Sequence, residues 1–171
     1  MKEKRGGAHG DKKEIAGPAA IFVLSDGIRG HENQSLGIAA WLSDSGARVE
    51  LLRVPQSRGL TRLWRLKGSS RRLLSGSVET CRRWLEKSGG SGLVENVTKK
   101  MHKLGTPPEK TLFLSAGSLA APYCLALARF MKAGCCTVMT PSVLGTDPFD
   151  FAVVPSHDKP KGSENVYAVS Y

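Results

Sequence analysis

Four short apolar runs in this chain each break off directly into a polar loop built of small residues, and this pattern narrows the fold more than any other feature. Ala19-Ala20-Ile21-Phe22-Val23-Leu24 is followed by Asp26-Gly27-Ile28-Arg29-Gly30-His31-Glu32-Asn33-Gln34. Thr111 to Leu114 is followed by Ser115-Ala116-Gly117-Ser118, Cys135 to Met139 by Thr140-Pro141-Ser142, and Phe151 to Val154 by Pro155-Ser156-His157-Asp158. Short continuous apolar runs suit strands buried on both faces, as in a parallel sheet covered by helices. Arg48 to Val54, with Val49, Leu51 and Leu52 apolar, reads as a further strand stopped by Pro55, and Val166 to Val169 as a last one.

Helical patterns separate these strands. Asn33 to Ser45 reads as a helix with Leu36, Ala39, Ala40 and Ser43 on one face, Asn33 as its cap and Gly46 at its end. The stretch 57–105 is helical but interrupted. Leu60, Leu63, Trp64 and Leu66 mark one amphipathic piece; Val78, Cys81, Trp84 and Leu85 mark a second, capped by Ser77. Gly89-Gly90-Ser91-Gly92 reads as a flexible break before a third, with Val94, Val97, Met101 and Leu104, closed by Gly105. Ala120 to Lys132 is the next helix, with Pro122 in its first turn and Gly134 beyond its end. Alternating strands and helices imply right-handed βαβ crossovers. The expected fold is α/β, a Rossmann-like and mainly parallel sheet with helices on both faces. In such sheets ligands bind at the carboxyl ends of the strands, so all four polar loops are expected to face one crevice.

A length of 171 residues suits one domain. Residues 1–17, polar and rich in Gly and Lys, read as a disordered, mildly basic tail, and 18–171 as the Rossmann-like domain. With 40% hydrophobic and 23% charged residues the chain is ordinary for a globular protein. At this size roughly 70% of the unfolded surface is buried, so no metal or disulfide is needed for folding. No apolar run approaches the ~20 residues of a bilayer span, and Ala19 to Leu24 is too short for a secretory signal core. A cytoplasmic location is expected. Cys81, Cys124, Cys135 and Cys136 form no C-x-x-C pair and are read as buried free thiols, with neighbours Cys135 and Cys136 on opposite faces of a strand.

The formal net charge is +10, and it is concentrated: between Arg48 and Lys87 there are eleven Lys or Arg against three acids. Such a stripe is a solvated helical face, or it meets phosphates or an anionic membrane surface. Nucleic acid is a poor match, because no nucleic-acid module accompanies the charge and aromatics are few.

The loops supply the candidate chemistry. In the first, Gly27 and Gly30 permit a tight turn and close backbone approach, and the following helix offers its N-terminal N–H groups to an anion. Arg29 can add a charge-assisted bond to phosphate or carboxylate. His31 is a general base or a hydrogen-bond donor, and Asn33 and Gln34 cap the helix or touch ligand. Asp26 begins the same turn. Gly117-Ser118 opens a second helix, with Ser118 a plain N-cap or an anion contact. Thr140 and Ser142 lie on the third loop; His157 and Asp158, on the fourth, orient each other or a sugar hydroxyl. The first loop is not G-x-G-x-x-G, no G-x-S-x-G surrounds Ser118, and no metal-ligand spacing is present.

Together these motifs resemble a known family. Ser25-Asp26-Gly27-Ile28-Arg29-Gly30-His31-Glu32-Asn33-Gln34-Ser35-Leu36-Gly37 closely resembles the opening motif of the mitochondrial-fission ELM-like family, whose bacterial members are often labelled predicted nucleoside-diphosphate-sugar epimerases. Ser115-Ala116-Gly117-Ser118 and Phe149-Asp150-Phe151-Ala152-Val153-Val154-Pro155-Ser156-His157-Asp158 match its later motifs in order, so the resemblance covers about 19–171. It implies a fold like that of GT-B glycosyltransferases, with two Rossmann-like halves facing a cleft. The N-terminal half holds the acceptor, and a His on its first Gly-rich loop, here His31, serves as base. No cofactor is implied; a nucleotide-sugar is a substrate, held mainly by the second half. The chain ends at Tyr171, about where the first half should end, which points to a missing C-terminal domain or a homodimer.

Two function classes follow. One is a GT-B-like protein of glycosyl transfer, its ligand a sugar, nucleotide-sugar or other phosphate-bearing molecule, with segment 48–87 against an anionic acceptor or peripheral to a membrane. The other is a non-catalytic binding or scaffold domain using the same crevice and basic patch, the kind of role suggested by the family's plant members, which resemble adaptors. A nicotinamide-dependent epimerase fits poorly, since Tyr123 is followed four residues on by Leu127 rather than Lys.

Overall fold

A computed structural model describes residues 17–56, 60–158 and 164–169. The tail expected over 1–17 lies, up to residue 16, outside them. In chain order the elements are β1 (Ala20–Ser25), α1 (Arg29–Leu42), β2 (Arg48–Arg53), α2 (Leu60–Ser70), α3 (Val78–Lys87), α4 (Ser91–Leu104), β3 (Thr111–Ala116), α5 (Gly117–Met131), β4 (Gly134–Val138), β5 (Phe151–Pro155) and β6 (Val166–Val169). All six strands pair in parallel in the order β2-β1-β3-β4-β5-β6. The α/β Rossmann-like expectation holds.

Burial follows position in the sheet. β1 and β3 are inner strands and every residue in them is buried. β2 is an edge strand, so only Leu52 is buried, while Val49 and Leu51 stay open on the other face. Alternation sorts the inner side chains into two layers. Phe22, Phe113 and Cys135 face α3, α4 and α5, packing with Cys81, Trp84, Val97 and Tyr123; Ile21, Val23, Leu114, Cys136 and Val138 face α1 and its Ala39. Phe22 and Phe113 stack at 5.6 Å, and Trp84 meets Tyr123 edge-on at 5.0 Å. As expected, neighbours Cys135 and Cys136 point into different layers, and all four cysteines are free and buried.

Several boundaries differ from the sequence expectation. α1 starts at Arg29, not at Asn33, because the turn after β1 is closed by Asp26 rather than by an Asn cap. Its inward face is consequently Ser35 and Ala39 flanked by Ile38 and Leu42, while Leu36 and Ala40 are exposed. α5 starts at Gly117, so Pro122 is the sixth helical residue and not in the first turn. The carbonyl it leaves unserved is that of Ser118, still at the helix start. Ser91 and Gly92 are helical, with Gly90 as the cap of α4, so the glycine stretch is a tight link and not a flexible break. Its geometry is held by the Gly90 N–H donating to the Leu85 carbonyl at 2.7 Å. On α2, Trp64 is 75% exposed and so leaves the apolar face assigned to it, whereas Leu66 is buried. The side chains of Leu60 and Leu63 lie outside the described residues.

Two consequences are measurable. Burial pushes the thiols of Cys124, Cys135 and Cys136 well above the usual range, and that of Cys81 upward too. Intact-mass analysis after alkylation at pH 8 should therefore find no adducts on the native fold and four after denaturation. In urea unfolding, Phe113→Ala should cost about 3–5 kcal/mol. Trp41→Ala, at a side chain 70% exposed, should stay within about 0.5 kcal/mol.

Candidate functional site

The sheet order places β1 and β3 side by side, yet the chain leaves β1 toward β2 on one side and leaves β3 toward β4 on the other. Between such diverging connections a crevice opens at the carboxyl edge. Here it has a volume of about 610 Å³ and is lined by Asp26, Ile28 and His31 from the first loop and helix, Gly117, Ser118 and Leu119 from the start of α5, and Met139, Thr140, Ser142 and Val143 from the loop after β4. Trp64 and Lys67 of α2 complete it. Three of the four polar motifs therefore converge.

The first loop is a closed hydrogen-bonded unit. Asp26 Oδ1 accepts from the Ile28 N–H at 3.0 Å, an Asx turn that launches α1. The Gly27 N–H donates to Ser25 Oγ at 2.9 Å, Ser25 Oγ donates in turn to the Glu32 carboxylate, and Gln56 Nε2 donates to the Asp26 carbonyl at 3.1 Å. Gly27 sits at φ +85°, which a side chain rarely tolerates.

The other Asp26 oxygen, Oδ2, lies 2.8 Å from His31 Nδ1; the Asp26 side chain is 2% exposed and that of His31 24%. A carboxylate at Nδ1 makes that nitrogen the N–H donor and leaves Nε2 as the acceptor of the neutral ring. The imidazole is seated against the backbone of Gly117, at φ +79°. A methyl group at Gly117 would come within 2.6 Å of His31 Nδ1, so glycine there is required both by its own conformation and by the ring upon it. At the neighbouring position Ser118 Oγ accepts from the Ser142 N–H at 2.9 Å, joining α5 to the loop after β4. Ser118 is thus no N-cap: the cap residue of α5 is Ala116, and no side chain caps that terminus. Met139 also holds a positive φ, 70°, on the crevice wall.

Other expected residues fall elsewhere. Arg29 and Gly30 are exposed in the first turn of α1, outside the crevice, and nothing lies within 4 Å of a Cβ at Gly30. Only Gly27 meets the steric demand assigned to both glycines. Asn33 is exposed mid-helix and caps nothing. Gln34 is not in the lining; its Oε1 is enclosed without a hydrogen-bond partner among the described residues. Asp158 follows β5 in a short 3₁₀ turn and does not line the crevice, Ser156 Oγ there donating to the Val169 carbonyl at 3.0 Å. The side chain of His157 lies outside the described residues. Sequence reasoning missed Trp64, which pattern alone had assigned to an amphipathic helix face, and Lys67, which counted only toward the basic stretch 48–87.

Gly117→Ala should dislodge the imidazole and destabilise the fold by about 1–2 kcal/mol in thermal unfolding. Gly30→Ala, in open space within a helix, should be neutral or stabilising by up to about 1 kcal/mol. Equal behaviour of the two would argue against the His31–Gly117 packing.

A protein-family model described as "Mitochondrial fission ELM1" matches residues 29–170. No curated protein and no solved structure matches the chain. Among the described residues no helix is long and apolar enough to cross a membrane.

Proposed function

The chain belongs to the mitochondrial fission ELM1 family, and from that premise we propose that its β1/β3 crevice is the acceptor side of a GT-B-like glycosyl-transfer site, with His31 as general base. The observation that carries this reading is the Asp26–His31 pair at 2.8 Å, with the carboxylate behind, His31 lining a cavity, and the second ring nitrogen without a hydrogen-bond partner among the described residues. A base held in one tautomer by a buried carboxylate is the arrangement that lets an imidazole take a proton from a hydroxyl. In the proposed step Nε2 accepts the proton of an acceptor hydroxyl. Its oxygen bonds to the anomeric carbon of the donor, and the bond from that carbon to the diphosphate breaks. The donor nucleotide is left to a second half, as the family resemblance suggests.

The neighbouring groups suit an acceptor bearing phosphate or hydroxyls. Lys67 supplies a cation, the uncapped start of α5 supplies N–H groups and a positive dipole end, and Thr140 and Ser142 supply hydroxyls. Ile28, Trp64, Leu119, Met139 and Val143 form an apolar remainder. That apolar wall favours one second reading, a non-catalytic domain that binds a partner in the same crevice.

His31→Ala separates the two. In the protein at its native length, nucleotide release from a panel of nucleotide-sugars with hydroxyl acceptors should fall by about 10²–10⁴-fold, with the circular dichroism spectrum unchanged. Release insensitive to this substitution would end the catalytic assignment and leave the binding reading.

A further inference from the structure

On the other flank of α2 lies a second cavity, of about 590 Å³, that the proposed reaction does not use. Trp64 and Lys67 turn toward the β1/β3 crevice; Arg65 and Ser69, on the opposite side of the same helix, line this cavity with Arg72 from the turn after α2 and Arg83, Trp84 and Lys87 from α3. Positions four apart on a helix share a face, which is why Arg65 and Ser69, and likewise Arg83 and Lys87, point the same way. Four cations thus surround one concavity whose lining contains no acid.

Their charges are largely uncommitted. Arg83 Nε is 2.8 Å from Glu79 Oε1, but Glu79 is shared with Arg82 at 2.7 Å, and together they hold its carboxyl down at about 2. Arg82 is further engaged by Glu86 and stays out of the cavity. Arg65, Arg72 and Lys87 have no acidic partner among the described residues. Like charges gathered without counter-charge repel one another, and an anion between them relieves that repulsion. The floor is firm: Trp84 is buried, its Nε1 donates to Ser69 Oγ at 3.1 Å, and Arg129 of α5 donates to the Leu73 carbonyl, pinning the turn that carries Arg72. Ser69, Thr80 and Ser88 add polar groups at the rim.

We infer that this cavity is a second ligand site, taking a small soluble anion with clustered phosphates, such as a diphosphate or polyphosphate group. A concavity of this size encloses a small molecule, and guanidinium groups present paired donors to phosphate oxygens. The site is independent of the crevice, since the two share only opposite flanks of α2.

The test is isothermal titration calorimetry of the full chain with inorganic pyrophosphate and tripolyphosphate. Wild type should bind saturably, more weakly as salt rises. Arg65→Gln/Arg72→Gln should weaken that binding by about tenfold or more, the loss of one charge-assisted bond or better. His31→Ala should leave it unchanged, so the inference and the proposed function fail separately. Lys87→Gln should weaken it in the same direction and serves if the double variant loses helical circular dichroism. Absence of saturable binding, or unchanged affinity in the folded variants, overturns the proposal. So does flotation with anionic phospholipid vesicles that tripolyphosphate does not displace, which would make the basic rim a membrane face.

Discussion

The contact of the His31 imidazole with the bare backbone of Gly117 ties the site to the fold. It exists because β1 and β3 are hydrogen-bonded neighbours in register, with Leu24 opposite Ser115, so the residues just beyond each strand emerge side by side. Asp26 is buried at that edge, and its two oxygens do two jobs: one starts α1, and the other fixes His31. Moving the strand pairing by one residue would turn every inward side chain to the other layer and would separate His31 from Gly117 as well. Fold and site thus depend on the same register.

The sheet is served unequally on its two faces. α3, α4 and α5 cover one with a large layer containing Phe22, Phe113, Trp84 and Tyr123; among the described residues α1 is the one helix, with the small Ser35 and Ala39 inward, over the centre of the other. Small residues let α1 lie close to the strands, which brings His31 over the carboxyl edge. On the crowded face α2 buries Leu66 and Ser70. Two of its other flanks form walls, the crevice on one and the cationic cavity on the other. The charge concentrated between Arg48 and Lys87 is therefore divided: Glu79 and Glu86 engage Arg82 and Arg83, Lys67 serves the crevice, and Arg65, Arg72 and Lys87 remain around a hollow.

Much of this was legible in the linear chain. The apolar runs identified the buried strands because a strand covered on both faces has no polar side to show. The parity of Cys135 and Cys136 followed from the pleat. Asp26, His31, Gly117, Ser118, Thr140 and Ser142 reached the crevice because polar loops after parallel strands share one edge; Gly27 shapes the first loop without lining it. Helix starts were less legible. Asn33 has the chemistry of a cap, but Asp26 closes the turn earlier, and the whole helix face rotates with that choice. Arg29 and Gly30 were misplaced for the same reason, since a residue inside the first turn points where the helix sends it rather than where a loop might.

By itself the sequence determined the class of fold, the strands and the edge at which polar residues gather, because these rest on local periodicity and on the burial each segment demands. Only the tertiary structure decided which gathered residues touch. Asp26 with His31 is a local pair, but Gly117 beneath the ring, Ser142 upon Ser118 and the two walls of α2 join segments distant in the chain. Such contacts are set by strand order and helix placement, which satisfy the hydrophobic demands of all segments together and are written in no one of them.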